Sequence, residues 1–130
     1  MLQLNRWLPV HSGASGLAIL AFLPAADRRD VLQGSLAVLT QHTMVDAGQL
    51  TDRLAQIRRR GYASSRSERI VGAVAVAAPV FAPEGRVYGD VGLTIPESRF
   101  DEEAEAVLAE QVMRSAQILT DSLVGVKPTY

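Results

Sequence analysis

Residues 73–81, AVAVAAPVF, and 86–95, RVYGDVGLTI, flank the four residues APEG. Two runs of alternating character around a Pro- and Gly-containing turn constrain this chain more than anything else in it, because they predict a β-hairpin. Placing Phe81 opposite Arg86 sets Pro79 against Tyr88, Ala77 against Asp90, Ala75 against Gly92 and Ala73 against Thr94. Successive strand residues point to opposite faces, so these positions share one side of the sheet. The other side carries Val74, Val76, Ala78 and Val80 with Val87, Gly89, Val91, Leu93 and Ile95. That bulky face requires a helix over it. The face of alanines and glycine has two readings. One is a solvent face, although solvent faces usually carry Lys, Glu, Arg or Thr. The other is the floor of a pocket, where small side chains leave room for a ligand.

Helical signals flank the hairpin. In VHSGASGLAILAFLP (10–24), a Gly- and Ser-rich turn feeds an apolar helix over 16–23 that stops at Pro24, with Leu17, Leu20, Ala21 and Leu23 on one stripe. Residues 26–33 predict a short second helix ended by Gly34, and 36–43 read as loop. In DAGQLTDRLAQIRRRG (46–61), Asp46 and Gln49 have capping-box spacing. Leu50, Leu54 and Ile57 form the buried stripe of that helix. Arg58, Arg59 and Arg60 fall in its last turn, where the helix dipole favours cations, and Gly61 stands at the left-handed C-cap. A closing helix over 101–124 gathers Asp101, Glu102 and Glu103 at its start. Ala104, Leu108, Val112, Ala116, Leu119 and Leu123 line its buried face, and Gly125 ends it.

The chain has 130 residues, enough for one domain over 1–130. With 48% hydrophobic and 21% charged residues it has the material for a packed core. Its 13 basic and 14 acidic side chains lack the basic excess of a phosphate-neutralising nucleic-acid binder. RRRG at 58–61 therefore reads as dipole compensation rather than a nucleic-acid patch. The chain contains no cysteine, which excludes disulfides, Cys-based zinc sites and thiol nucleophiles. No signal peptide is read at the N-terminus, and the apolar run 70–82 falls short of the ~20 residues of a membrane span. No membrane association and a cytoplasmic location are expected.

The turn at 12–16 is the candidate anion site, since a helix N-terminus presents unpaired amides and a positive dipole end. The plainer reading is that Ser12 or Ser15 caps the helix. His11 and His42 are the only histidines and have no metal-ligand spacing, so no metal and no cofactor are expected. GASGLA lacks the Lys-Ser/Thr ending of a P-loop, and no nucleophile elbow surrounds Ser15. No catalytic residue is assigned.

Taken together, LPVHSGASGLAILAFLP, IRRRGYASSRSERIVGAVAVAAPVF and GRVYGDVGLTIPESR resemble the C-terminal effector-binding domain of IclR-family transcriptional regulators. The likeness covers roughly 8–125. It implies an α/β (α+β), GAF-like and profilin-like fold, an antiparallel sheet with helices packed on it and incomplete on its N-terminal side. It also implies a small carboxylate or aromatic-acid effector held against the amides of Ala14 and Ser15. The strand positions matching the family pocket are Ala73, Ala75, Gly92 and Thr94, the positions that the hairpin pattern places on one face. Ser65 matches a pocket position often filled by an acid, and Leu8 an apolar wall. Leu17, Ser65, Ala75 and Gly92 depart from the more polar residues of the family pattern, so a larger or more apolar acid than a small keto acid is expected.

The resemblance further implies a homodimer or homotetramer, with DNA bound only through a winged helix-turn-helix that these residues do not contain. A sheet edge left open is expected to be covered by a partner chain. Two other readings stand beside the sensor: a ligand-free dimerisation module, and a small hydrolase-like enzyme using His11 and Ser15.

Overall fold

The computed structural model describes residues 13–34, 41–68 and 70–124. Among these residues, four helices and three strands follow in the order α1 (Ala14–Ala21), α2 (Ala25–Gln33), α3 (Ala47–Arg60), β1 (Ala63–Arg66), β2 (Ala73–Phe81), β3 (Val87–Pro96) and α4 (Glu102–Ser122), with a 3-10 turn at Glu97–Arg99. The strands form an antiparallel sheet in the order β1-β2-β3. This is the expected mixed α/β architecture.

The hairpin register differs from the expected one by two residues. Ala75 lies opposite Thr94, Ala77 opposite Gly92 and Pro79 opposite Asp90. Two irregularities add up to that slip. The connecting loop is one residue longer than APEG, so Phe81 pairs with Val87, and Ala82 N donates to Arg86 O at 2.8 Å. A bulge then adds Tyr88 on β3 before Val80 meets Gly89. One extra residue would have turned every β3 side chain to the wrong face; two restore the original sides. From Gly89 on, the two faces therefore keep the membership that the alternation predicts, whereas Val87, before the bulge, pairs with Phe81 rather than joining the bulky face.

The bulky face is covered by α4. Val76, Ala78 and Val80 pack on Ala109, Val112 and Ala116, with Val91, Met113, Leu108 and Leu123 at the margin. The helix rests on a slightly different stripe than expected. Leu119 is 47% exposed and Ala104 half-buried, whereas Thr120 faces the sheet, its Oγ1 accepting from Phe81 N at 3.1 Å. Four residues on from Ala116 the helix has turned about 40° past a full turn, and three residues on it falls about 60° short, which carries Leu119 off the contact. Asp101 caps the first turn by accepting from Ala104 N at 2.7 Å, and the helix closes at Ser122. Gly125, expected as its terminator, lies outside the described residues.

The small-residue face is covered by α1, with α3 behind it. Ala14, Leu17, Ala18, Leu20 and Ala21 pack on Leu50, Leu54 and Ile57 of α3 and on Ala63 and Ala77 of the sheet. As the spacing predicts, Asp46 accepts from Gln49 N at 2.8 Å, and Gly61 ends α3 in the left-handed region at φ 89°. Phe22 after α1 meets Phe81 at the end of β2 edge-on, ring centroids 5.3 Å apart. Helix α2 ends before Gly34 as predicted and contributes no fully buried residue. Of the stretch read as loop, 41–43 form a turn leading into α3, and 35–40 lie outside the described residues. Strand β1 has no counterpart in the pattern reading, because ASSR is too short and too polar to show a period.

Candidate functional site

Helix α1 begins two residues earlier than its apolar stripe suggests, at Ala14, and no side chain of its own caps it. Ser15 lies inside the helix, so it is not the cap, and Ser12 lies outside the described residues. The cap comes instead from 51 residues away: Ala14 N donates to Ser65 Oγ on β1 at 3.1 Å. Ser65 is only 7% exposed. A buried helix start needs partners for its first amides, and a strand hydroxyl supplies one of them. Because Ser65 Oγ accepts in that bond, its hydroxyl proton is left to donate elsewhere. The amides of Ser15 and Gly16 have no carbonyl to donate to within the helix.

Beneath this helix start lies a cavity of about 150 Å³. Ala73, Ala75, Gly92 and Thr94 form its floor, and Gly13, Ala14 and Ser15 its roof. Ser65, Glu68 and Ile70 line the wall toward β1. Seven of the eight residues singled out from sequence thus meet around one space. Leu8 lies outside the described residues. Gly92, Leu93 and Thr94 are exposed, so the cavity opens at the β3 edge of the sheet.

The small side chains do two jobs here. A Cβ on Gly92 would stand 3.3 Å from Ser15 Oγ, 3.4 Å from Ala77 Cβ and 3.4 Å from Val76 O. Glycine therefore lets α1 approach the sheet closely, and the alanines beside it leave the remaining space open. Close helix packing was absent from both readings of this face, and it operates together with the cavity.

Sequence reasoning missed Glu68. Its side chain is only 8% exposed in the cavity wall, and both carboxylate oxygens face Arg53 of α3: Oε1 accepts from Nη1, and Oε2 from Nη2 at 2.6 Å. Arg53 Nη2 also donates to Ser64 O at 2.5 Å. The Thr43 hydroxyl donates to the Glu68 carbonyl, and Ser67 Oγ accepts from Gly72 N at 2.9 Å. The available signal was Arg53 itself. It lies three residues after Leu50 and four before Ile57, at the flank of a buried stripe, where a guanidinium needs an acid.

The arginines of the RRRG segment act within the chain. Arg58 donates to Ala21 O at the end of α1 at 3.3 Å, and burial, with Arg28 and Arg59 nearby, lowers its pKa from the usual value. Arg60 donates to Tyr62 O at 2.9 Å and covers the Tyr62 ring at 4.2 Å. Among the described residues no three His, Cys, Asp or Glu side chains are grouped to hold a metal, and no helix is long and apolar enough to cross a membrane.

Known proteins share this fold. The family model of the bacterial transcriptional regulator IclR C-terminal domain matches residues 2–120. The HTH-type transcriptional regulator XynR of Escherichia coli K12 is 33% identical over 122 residues, which are 93% of this chain and 48% of XynR. The crystal structure of Thermotoga maritima IclR superposes with a TM-score of 0.89 at 27% identity, covering 95% of this chain and 50% of that one. The isolated C-terminal domain of E. coli KdgR superposes with a TM-score of 0.83 at 25% identity, covering 91% of this chain and 73% of that domain. The chain thus spans about half the length of the full regulators it matches. With the family pattern matched over nearly all its length, and the expected pocket positions gathered around one cavity, this chain belongs to the IclR C-terminal domain family of bacterial transcriptional regulators.

Proposed function

We propose that residues 1–130 act as a single effector-sensing and oligomerisation domain, and that the cavity under α1 receives a small carboxylate. The observation that carries this reading is the convergence of Ala14, Ser15, Ser65, Ala73, Ala75, Gly92 and Thr94 on one cavity, open at the β3 edge, beside a helix N-terminus. A carboxylate there meets the Ser15 amide directly. It meets the Ala14 amide through Ser65, whose hydroxyl accepts from Ala14 and donates to the ligand. Ala73, Ala75 and Gly92 set the shape of the floor, and Thr94 adds a hydroxyl at the mouth.

The domain works without catalysis, metal or cofactor, in the cytoplasm, as a homodimer or homotetramer. DNA contact belongs to a winged helix-turn-helix outside these residues. Binding shifts the equilibrium between two subunit packings by its difference in affinity for them.

A thermal-shift series against aliphatic and aromatic carboxylates tests the reading. A dose-dependent rise in Tm that is lost in Ala75→Trp supports it. A folded, oligomeric protein that responds to none of the acids contradicts it in favour of a ligand-free dimerisation module. A turnover abolished by His11→Ala contradicts it in favour of an enzyme.

A further inference from the structure

Among the described residues that line the cavity, Glu68 is the one ionisable group. A buried carboxylate in the wall of a carboxylate site looks self-defeating, because two like charges in a small space repel. Arg53 resolves the conflict. Its bidentate contact sets a full positive charge directly behind Glu68, on α3 and away from the cavity lining, so the wall is locally neutral and an anion can share the space.

The acceptor capacity of Glu68 is not exhausted by this pairing. An ionised carboxylate offers about four acceptor positions and no donor. Arg53 fills two, and the Arg66 amide approaches Oε2 at 3.4 Å as a third. No further bond to Oε1 forms among the described residues. Glu68 lines the cavity with acceptor capacity left beyond these contacts, so a ligand hydroxyl or N–H that reaches it is matched. A ligand carbonyl placed there would set lone pairs against lone pairs.

We propose that Glu68 is a specificity-determining residue, selecting hydroxy-carboxylates over the corresponding keto acids and unsubstituted acids. The inference rests on the carboxylate reading above and deepens it. In this arrangement the ligand carboxylate lies at Ser15 and Ser65 under α1, and its hydroxyl donates to Glu68 on the β1 side. Arg53 is a positioning residue that acts through Glu68. The volume, about 150 Å³, equals that of a cavity able to hold benzene, which is room for a three-carbon acid, whereas a single-ring aromatic acid has to extend into the open mouth.

Calorimetric titration of the whole chain with two matched series tests this: propionate, pyruvate and lactate (both enantiomers), then benzoate, 3-hydroxybenzoate and 4-hydroxybenzoate. A hydroxy acid in at least one series is expected to bind about tenfold more tightly, or better, than its counterparts, the usual scale for a hydrogen bond to a charged group. Acids that bind with no advantage from the hydroxyl, or with pyruvate preferred, overturn the inference and leave the carboxylate site standing. Binding by none of the acids overturns both.

Glu68→Gln, which keeps the size but adds a donor, is expected to bring hydroxy and keto acids within about twofold of each other. Because that change strands Arg53, the double variant Arg53→Met/Glu68→Gln is titrated beside it. A hydroxy preference that persists in a folded variant of either kind also overturns the assignment.

Discussion

The two faces of the same three strands do opposite work. Against α4 the sheet is closed and apolar: Val76, Ala78 and Val80 fit between Ala109, Val112 and Ala116. Against α1 it is stepped back. Alanines and Gly92 let the helix come close at Ala77 yet leave a cavity at its first turn. The buried polar residues cluster on that second side as well. Ser65 and Glu68 line the cavity, the Thr43 hydroxyl donates to the Glu68 carbonyl, and Ser67 follows on the loop leaving β1. One face stabilises by shape and hydrophobic area. The other gives up some of both for a hydrogen-bonded space.

Breaking that contrast is expected to have its largest effect at Arg53. Arg53→Met leaves Glu68 as an uncompensated buried charge and should cost about 3–5 kcal/mol by urea unfolding, whereas Arg53→Met/Glu68→Gln should recover much of the loss. A matched pair comes next. Val112→Ala empties the α4 face and Gly92→Leu overfills the α1 face, each at about 2 kcal/mol. Their effects on ligand response should differ completely: Val112→Ala keeps the carboxylate-induced rise in Tm, and Gly92→Leu loses it. Equal loss of response in both would mean that the response follows stability rather than the cavity.

The smallest effect is expected at the exposed Arg66–Glu97 pair, which ties β1 to the turn after β3. The hydrogen bond from Arg66 Nε, at 2.6 Å, holds the Glu97 carboxyl below the usual carboxylate range. A depressed folded pKa means the pair contributes above the unfolded value of ~4.3 and is lost as pH falls through the lower folded value. Glu97→Gln should therefore remove a small stabilisation at neutral pH, flatten the acid-side fall, and leave stability at low pH unchanged. An unchanged acid limb in that variant would remove the pair from the account.

The contrast between the faces was legible in the alternation of 73–95, and it survived a wrong register because loop and bulge together shift the pairing by an even number. Neither irregularity had a local signal strong enough to place it. The caps of α3 were legible for a different reason: Asp46, Gln49 and Gly61 act on backbone within a few residues of themselves. What was not legible is what acts across the chain. The Ser65 cap on Ala14 spans 51 residues, and the Arg53–Glu68 pair joins a helix to a strand end. Spacing carries no trace of the Ser65 cap, and of the ion pair it shows only Arg53 at the flank of a buried stripe, not the partner. On α4, the drift of the helical face past Ala116 decided between Leu119 and Thr120, and hydrophobicity alone pointed to the wrong one.

The most direct test of which face receives the ligand is a map of backbone amide shifts in a ¹⁵N-labelled sample titrated with a carboxylate that binds. Shifts should centre on Ala14–Gly16, Ser65, Glu68 and Gly92–Thr94, with Ala109, Val112 and Ala116 quiet. Shifts centred on α4 instead, with the start of α1 unmoved, would contradict the account.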